Sequence, residues 1–407
     1  MGEIDDVDVK AEIIQAVIPA ALINFHHDLG KEIKKLTGER YEHGRDNYRW
    51  GRQNGSVYLL DQKVPVKIQR VRNKLTKKEV PLKLYQRLQE PYRADQGAFK
   101  KLLNGISAHR YQESAEIVPE VFGLSASNMS RRLKKATATK LRHLNSRSLK
   151  DYDLVAIFID GKRFAEEGII VALGITIEGE KVILGIDQMS AENHRALKQF
   201  FDKLLARGLR FEQGLLFIVD GSKGIIKAIK DKFQGYAVIQ RCQWHKRENV
   251  VSYLNRAQQA LWRRKLQAAY AEETHKEAET ALKKLANDLE RINESAANSL
   301  REGMSDTLTV HRLGLNRILA RSFSTTNCIE SILAQVEQYT QRVDRWRGGA
   351  HIQRWVASGL LEVESRLRKI NGRRHLESLR DKIKEELERQ RREKRFPVEQ
   401  ELAEAGA

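Results

Sequence analysis

Leu154-Val155-Ala156-Ile157-Phe158-Ile159-Asp160 and Leu215-Leu216-Phe217-Ile218-Val219-Asp220 are two apolar runs of strand length, each ending in a carboxylate. Runs of this kind predict buried β-strands, and a carboxylate at the carboxyl end of each predicts a shared metal site. Hard divalent cations such as Mg²⁺ take oxygen ligands, and a pair of them can activate a nucleophile and stabilise a leaving oxygen in in-line displacement at phosphorus. Glycine follows both residues, in Asp160-Gly161-Lys162-Arg163 and Asp220-Gly221-Ser222-Lys223, so an ordinary strand-ending turn would account for either one alone. The two together favour metal ligation and phosphodiester chemistry.

The sequence around these runs predicts an alternating α/β order. Residues 168–177 and 181–186 read as two further strands joined by the hairpin turn Glu178-Gly179-Glu180. Residues 192–205 place Ala196, Leu197, Phe200, Phe201, Leu204 and Leu205 on one helical face, with Gly208 suited to its end. Strand 215–219, helix 225–233 and strand 236–240 follow. This β-β-β-α-β-α-β order, a meander and then parallel strands with helical crossovers, matches a ribonuclease H-like sheet in which the first and fourth strands lie side by side. Asp160 and Asp220 are then neighbours.

A third carboxylate is needed to complete a two-metal site, and Glu330 in Thr326-Asn327-Cys328-Ile329-Glu330-Ser331 supplies it. The spacing from Asn327 to Glu330 is equally that of a helix capping box. Cys242-x-x-His245 resembles half a zinc site, but Cys328 is the only other cysteine, so a four-ligand zinc centre is not expected. A buried Cys242, with His245 near phosphate or orienting the carboxylates and Lys246 and Arg247 adding positive charge, is the preferred reading. Trp262, Trp346 and Trp355 read as core residues, with stacking on an unpaired base as the alternative.

Composition narrows the partners. The 407 residues carry 73 Lys plus Arg against 54 Asp plus Glu, a net charge of +19, which points to a polyanion bound through phosphate contacts. Two cysteines exclude a disulfide framework and indicate a reducing compartment. The acidic start and the short apolar stretch 11–25, which contains Pro19 and Glu12, predict neither signal peptide nor membrane span.

The remaining segments are also distinct in texture. The first 40 residues read as helical, interrupted at Pro19. Residues 57–60 and 64–71 alternate at period two and read as a small β unit with a basic outer face, either a plain edge hairpin or a DNA contact. Residues 112–135 read as helix, glycine turn and helix. In a DNA-reading helix-turn-helix, Ser127, Asn128, Ser130, Arg131, Arg132 and Lys134 would lie on the groove-facing helix. A structural helical hairpin is the competing reading. After His245 the chain turns helical and charged to about residue 322. The tail from 362 to 395 alternates acidic and basic residues around Leu367, Leu376, Leu379, Ile383 and Leu387, the pattern of a solvated helix face.

At Phe158-Ile159-Asp160-Gly161, Val219-Asp220-Gly221, Cys242-Gln243-Trp244-His245-Lys246 and Thr326-Asn327-x-Ile329-Glu330 the chain resembles the Mutator-type transposases of bacterial insertion sequences. The resemblance covers most of the chain. It implies that Asp160, Asp220 and Glu330 form an Asp-Asp-Glu triad holding two Mg²⁺ or Mn²⁺ ions, with water freeing a 3′-hydroxyl that then attacks a target phosphodiester. It further implies recognition of terminal inverted repeats in double-stranded DNA by the amino-terminal region, a homodimer or higher homo-oligomer, and a bacterial cytoplasmic, nucleoid-associated location. The expected organisation is an α/β chain: an N-terminal helical and small β region (1–90), a helix-turn-helix-like region (91–150), a ribonuclease H-like core (151–245), a helical insertion (246–322), core completion with the Glu330 helix (323–361) and a charged tail (362–407). The alternatives are a catalytically silent DNA-binding protein derived from a transposase, or a structure-specific nuclease on the same fold.

Overall fold

The computed structural model describes residues 6–42, 46–59, 62–89, 126–189, 194–341, 343, 346 and 348–404. The chain divides into two compact units, Met1–Thr139 and Lys140–Ala407. Among the described residues no helix is long and apolar enough to cross a membrane.

The first unit holds helix α1 (Asp6–Thr37), the antiparallel hairpin β1 (Asn47–Leu59) and β2 (Gln62–Asn73), and helix α2 (Lys83–Gln89). The period-two pattern of the hairpin turns Val57, Val66 and Ile68 inward against Phe25, Leu29, Ile33 and Leu82. Two expectations change. Helix α1 runs through Pro19 rather than stopping there; proline removes a single amide donor, which the rest of a 32-residue helix outweighs. Strand β1 begins ten residues before Val57, across a bulge between Arg49 and Arg52 where Gly51 adopts φ +55°. The first half of the expected helix-turn-helix, residues 112–125, lies outside the described residues. Its second half is helix α3 (Ala126–Ser146), on which Ser130, Arg131 and Lys134 are exposed. The side chains of Ser127, Asn128 and Arg132 lie outside the described set.

The second unit is built on a five-stranded sheet of β3 (Leu154–Phe164), β4 (Glu167–Thr176), β5 (Lys181–Met189), β6 (Leu215–Val219) and β7 (Ala237–Arg241), in the spatial order β5-β4-β3-β6-β7. β3, β4 and β5 form an antiparallel meander, while β6 is parallel to both β3 and β7. The first and fourth strands of the sheet therefore pair, as the element order predicts. Gly179, with φ +83°, closes the β4–β5 turn, where Gly179 N donates to Thr176 O at 2.9 Å.

Helices cover both faces, which explains why these strands read as continuous apolar runs. On one face Ile157, Ile159, Phe217 and Val219 pack with helix α4 (His194–Ala206) and helix α5 (Lys223–Phe233) through Leu197, Phe200, Phe201, Ile225, Ile229 and Phe233. On the other, Phe158, Val171, Leu173, Leu216 and Ile218 meet helices from later in the chain, with Phe158 stacked on Phe323 at 5.9 Å. Fully buried side chains of this size contribute about 1.5–3 kcal/mol each.

After β7 the chain enters α6 (Gln243–Ser252), α7 (Arg256–Tyr270), α8 (His275–Glu290), α9 (Glu294–Arg301), α10 (Met304–Thr307), α11 (Thr309–Arg312) and α12 (Asn316–Phe323). Val250, Trp262, Leu266, Leu282, Leu289, Leu300 and Leu308 give α6 to α10 a core of their own, whereas Val310, Leu319 and Phe323 of α11 and α12 join the sheet core. Thr274 and Glu277 form a reciprocal capping box that starts α8. The path returns to the sheet at β7, where Val310 N donates to Gln240 Oε1 at 2.9 Å and Thr309 Oγ1 to Ile239 O at 2.6 Å.

Helix α13 (Asn327–Thr340), helix α14 (Gly349–Glu364) and helix α15 (Leu376–Glu404) complete the unit. The carboxyl-terminal helix corrects the expectation of a solvated tail. Leu376, Leu379, Ile383 and Leu387 form a narrow stripe inside the main core, and the Arg380 guanidinium grips Asp153 at 2.8 and 2.9 Å. Glu386, 5% exposed, accepts from Arg312 Nε at 3.0 Å and Arg389 Nη2 at 2.8 Å.

Candidate active site

Ile159 of β3 is paired with Val219 of β6 in parallel register, so Asp160, which lies within β3 rather than at its expected end, and Asp220, just past the end of β6, sit at the same level on adjacent strands. Alternation along each strand puts Asp160 on the face of Phe158 and Asp220 on the face of Ile218, the face covered by α13. Gly221 turns the chain away with φ +106°, and Ser222 N donates to Asp220 Oδ1 at 2.9 Å. Asp160 is 9% exposed. Burial raises its carboxyl to about 7, with the charges of Asp220 and Glu330 adding to the effect and His245 and the Gly161 amide opposing it.

Two backbone bonds close the site. Cys242 N donates to Val219 O at 2.7 Å, fixing the start of α6 against the end of β6, and Gln243 N donates to Ser324 O at 3.0 Å, fixing it against the approach to α13. Cys242 is fully buried at the α6 N-cap, its sulfur accepting from His245 N at 3.5 Å. His245 Nδ1 lies 3.8 Å from Glu330 Oε1. The His245 imidazole is raised to about 9 by its hydrogen bond to Cys242, against burial, and the charges of Cys242, Glu330 and Asp220 add to it. Burial raises the Cys242 thiol, but hydrogen bonds from His245 and Thr326 outweigh it and hold the thiol below its ordinary value.

Among the described residues, the donor atoms of Cys242, His245 and Glu330 lie within 4.8 Å of one another. Their centre is filled by the Thr326 hydroxyl, 3.3 Å from Cys242 Sγ and 3.2 Å from His245 Nδ1, which donates to Glu330 Oε1. Cys328 is elsewhere, beside Lys181, so no second sulfur joins the set. The capping-box reading of Glu330 does not hold. Thr326 is the N-cap, Asn327 is already helical and exposed, and the Glu330 carboxylate meets the Thr326 side chain rather than a cap amide.

Lys246 and Arg247, expected to add positive charge and to contact DNA, both have protein partners. Lys246 is 3% exposed and its Nζ donates to Ser299 O at 2.7 Å, Glu302 O at 2.6 Å and Glu302 Oε2 at 3.0 Å. Arg247 is engaged by Glu248 Oε1 at 3.1 Å and Gln267 Oε1 at 3.2 Å. Positive charge in the sequence does not distinguish a phosphate contact from an internal pair. Trp262 and Trp355 are core residues and Trp346 packs at the core edge. Trp244 is the exposed aromatic here, 42% exposed and edge-on to the His245 ring at 4.9 Å. Sequence reasoning passed over Thr326 and Arg241. Thr326 stood in the quoted motif, and its fourth-residue spacing to Glu330 on a helix start was the available signal.

The Mutator family of transposases matches residues 3–369. The chain is 28% identical over 243 residues to the transposase for insertion sequence element IS905 of Lactococcus lactis, covering 57% of this chain and 59% of that protein. It is 28% identical over 242 residues to the transposase for IST2 of Acidithiobacillus ferrooxidans, covering 79% of that protein. It is 23% identical over 385 residues to the transposase for ISRM5 of Rhizobium meliloti, covering 92% of each chain. With a match that takes in Asp160 and Asp220, the Cys-x-x-His start of α6 and the Glu330 helix, the chain belongs to the Mutator family of transposases.

Proposed function

We propose that this protein binds terminal inverted repeats of an insertion element in double-stranded DNA, hydrolyses a phosphodiester to free a 3′-hydroxyl, and joins that hydroxyl to target DNA by transesterification. In this reading the β5-β4-β3-β6-β7 sheet is a ribonuclease H-like core and residues 246–322 are a helical insertion within it. Helix α3 belongs to the DNA-reading region, through Arg131 and its neighbours. The working form is a homodimer or higher homo-oligomer acting on nucleoid DNA in a bacterial cytoplasm. The observation that carries the reading is the register of Ile159 with Val219, which delivers two aspartates to one edge facing the helix of Glu330.

The donor set fits hard cations. Asp160 is a buried carboxyl held at about 7 by desolvation and by two further acids, a cluster whose repulsion a divalent cation relieves. Two Mg²⁺ or Mn²⁺ ions held by Asp160, Asp220 and Glu330 would supply Lewis-acid stabilisation of charge on the phosphate oxygens and an activated hydroxyl. The protein's own groups do the rest. Thr326 fixes the Glu330 carboxylate by a hydrogen bond, and His245, protonated at neutral pH, presents positive charge beside the acids, where a scissile phosphate would be drawn.

The test is cleavage of end-labelled inverted-repeat DNA with Mg²⁺, beside Asp160→Asn, Asp220→Asn and Glu330→Gln. All three should lose cleavage and strand transfer while keeping specific end binding, because affinity comes mainly from cationic contacts. Wild-type cleavage by Glu330→Gln would remove Glu330 from the triad. Equal cutting of branched DNA without repeats, and no joining, would favour a structure-specific nuclease.

A further inference from the structure

Arg241 ends β7, where it pairs in register with Val219, the residue before Asp220. It is 5% exposed, and its guanidinium reaches in two directions. Nη2 donates to Gly221 O at 3.2 Å, and Nη1 donates to Glu302 Oε2 at 2.7 Å and to Glu302 O at 3.4 Å. Both turns that it touches are glycine turns at positive φ, Gly221 at +106° and Gly303 at +63°. A Cβ on Gly221 would lie 2.5 Å from Arg241 Nε, and one on Gly303 would run into Nη1. The two glycines therefore serve twice, accepting a left-handed backbone and leaving room for the guanidinium between them. Lys246 joins the same carboxylate from the other side, so two buried cations share Glu302 and the carbonyls that end α9.

We propose that Arg241 is a positioning residue for Asp220, bolting the Asp220-Gly221 turn to the helical segment through Glu302. The inference rests on the proposed role of Asp220. The turn itself is short and has the Ser222 amide bond as its local restraint. Arg241 adds a second anchor on the Gly221 carbonyl, and the opposite branch of its fork is held by a residue of the separately packed helices. A planar fork can hold both partners at once, which a lysine ammonium on a flexible stem cannot do in the same geometry. Glu302 is the accessible handle, since its side chain is 45% exposed and glutamine keeps its shape while removing the charge that Arg241 and Lys246 share.

The test uses the full chain with Glu302→Gln and Arg241→Lys, compared by hydrogen exchange without metal and by cleavage across a Mg²⁺ series. Exchange at the Gly221 and Ser222 amides should quicken about tenfold in both variants, while Ile157 to Ile159 keep their protection. The Mg²⁺ concentration for half-maximal cleavage should rise about five- to tenfold with inverted-repeat binding unchanged. Wild-type exchange at Gly221 and Ser222 in either variant, in protein whose melt verifies that it is folded, would overturn the proposal. So would equal quickening throughout the sheet. Cleavage by Asp220→Asn at the wild-type rate would instead sink the role of Asp220, an outcome separable from the exchange result.

Discussion

The Thr326 hydroxyl donates to Glu330 Oε1 from one turn earlier on the same helix start, and this contact ties the third acid to the other two residues of its cluster. The same oxygen lies within hydrogen-bonding reach of His245 Nδ1 and Cys242 Sγ. Thr326→Val keeps the shape and deletes the hydroxyl, so it should cost about 1–3 kcal/mol of stability by stranding buried partners. It should also cut cleavage well beyond what that loss explains. Thr326→Ser should restore both. Cleavage by Thr326→Val at the wild-type rate would make the hydroxyl a packing detail.

Asp160 gives the metal-free protein a pH dependence of defined sign. Its folded carboxyl titrates near 7 against an ordinary 3.8, so the folded state binds the extra proton. The stability this group contributes is complete below about 4 and is lost as pH rises through about 7. Thermal melts without divalent ions should therefore weaken across that window, and Asp160→Asn should lack that component. A melting profile unchanged by Asp160→Asn would show that the carboxyl is not under this strain.

His245 should remain an imidazolium at pH 7.5, detectable by nitrogen-15 shifts of its ring, and should lose its proton near 9. Its hydrogen bond to Cys242 is the main cause, so Cys242→Ser should lower that titration. A ring that titrates at an ordinary value in the wild type would contradict the assignment.

For turnover the two residues should separate. His245→Ala should lower cleavage strongly with little change in melting, whereas Cys242→Ser should be milder, since a small buried side chain can be replaced at modest cost. Chelation should leave the protein folded, because the centre of the Cys242, His245 and Glu330 set is already occupied by a hydroxyl. Stoichiometric zinc, lost together with folding on chelation, would overturn this view of the cluster.

Ile383 is fully buried against the sheet. Ile383→Ala should cost about 2–5 kcal/mol by opening a cavity, a loss that a solvated helix would not show. Denaturant unfolding measures it directly.

The strands and their two aspartates were legible because burial on two faces leaves an apolar run that no surface element imitates, and a carboxylate at the end of such a run stands out; that β3 continues past Asp160 to Phe164 was not, because Gly161-Lys162-Arg163 breaks the apolar pattern. Glu330 was legible only by its motif and by the need for a third acid. What stayed hidden depends on partners far away in sequence. Arg241 looks like any strand-ending cation until Gly221, Glu302 and Gly303 close around it, and Lys246 looks solvated until Glu302 and Ser299 meet it. In α15 the stripe of Leu376, Leu379, Ile383 and Leu387 is one residue wide per turn, so the charges around it dominated the pattern.

The bond from Gln243 N to Ser324 O has a consequence for how this architecture can vary. The helices α6 to α10 leave the sheet at this bond and are pinned again where Gln240 meets Thr307 and Val310 and where Arg241 meets Glu302. Between these fixed points the connections can lengthen or shorten with only a slow, logarithmic change in closure entropy, provided the pins are kept. Under that condition, Asp220 and Glu330 hold their separation in space whatever their separation along the chain.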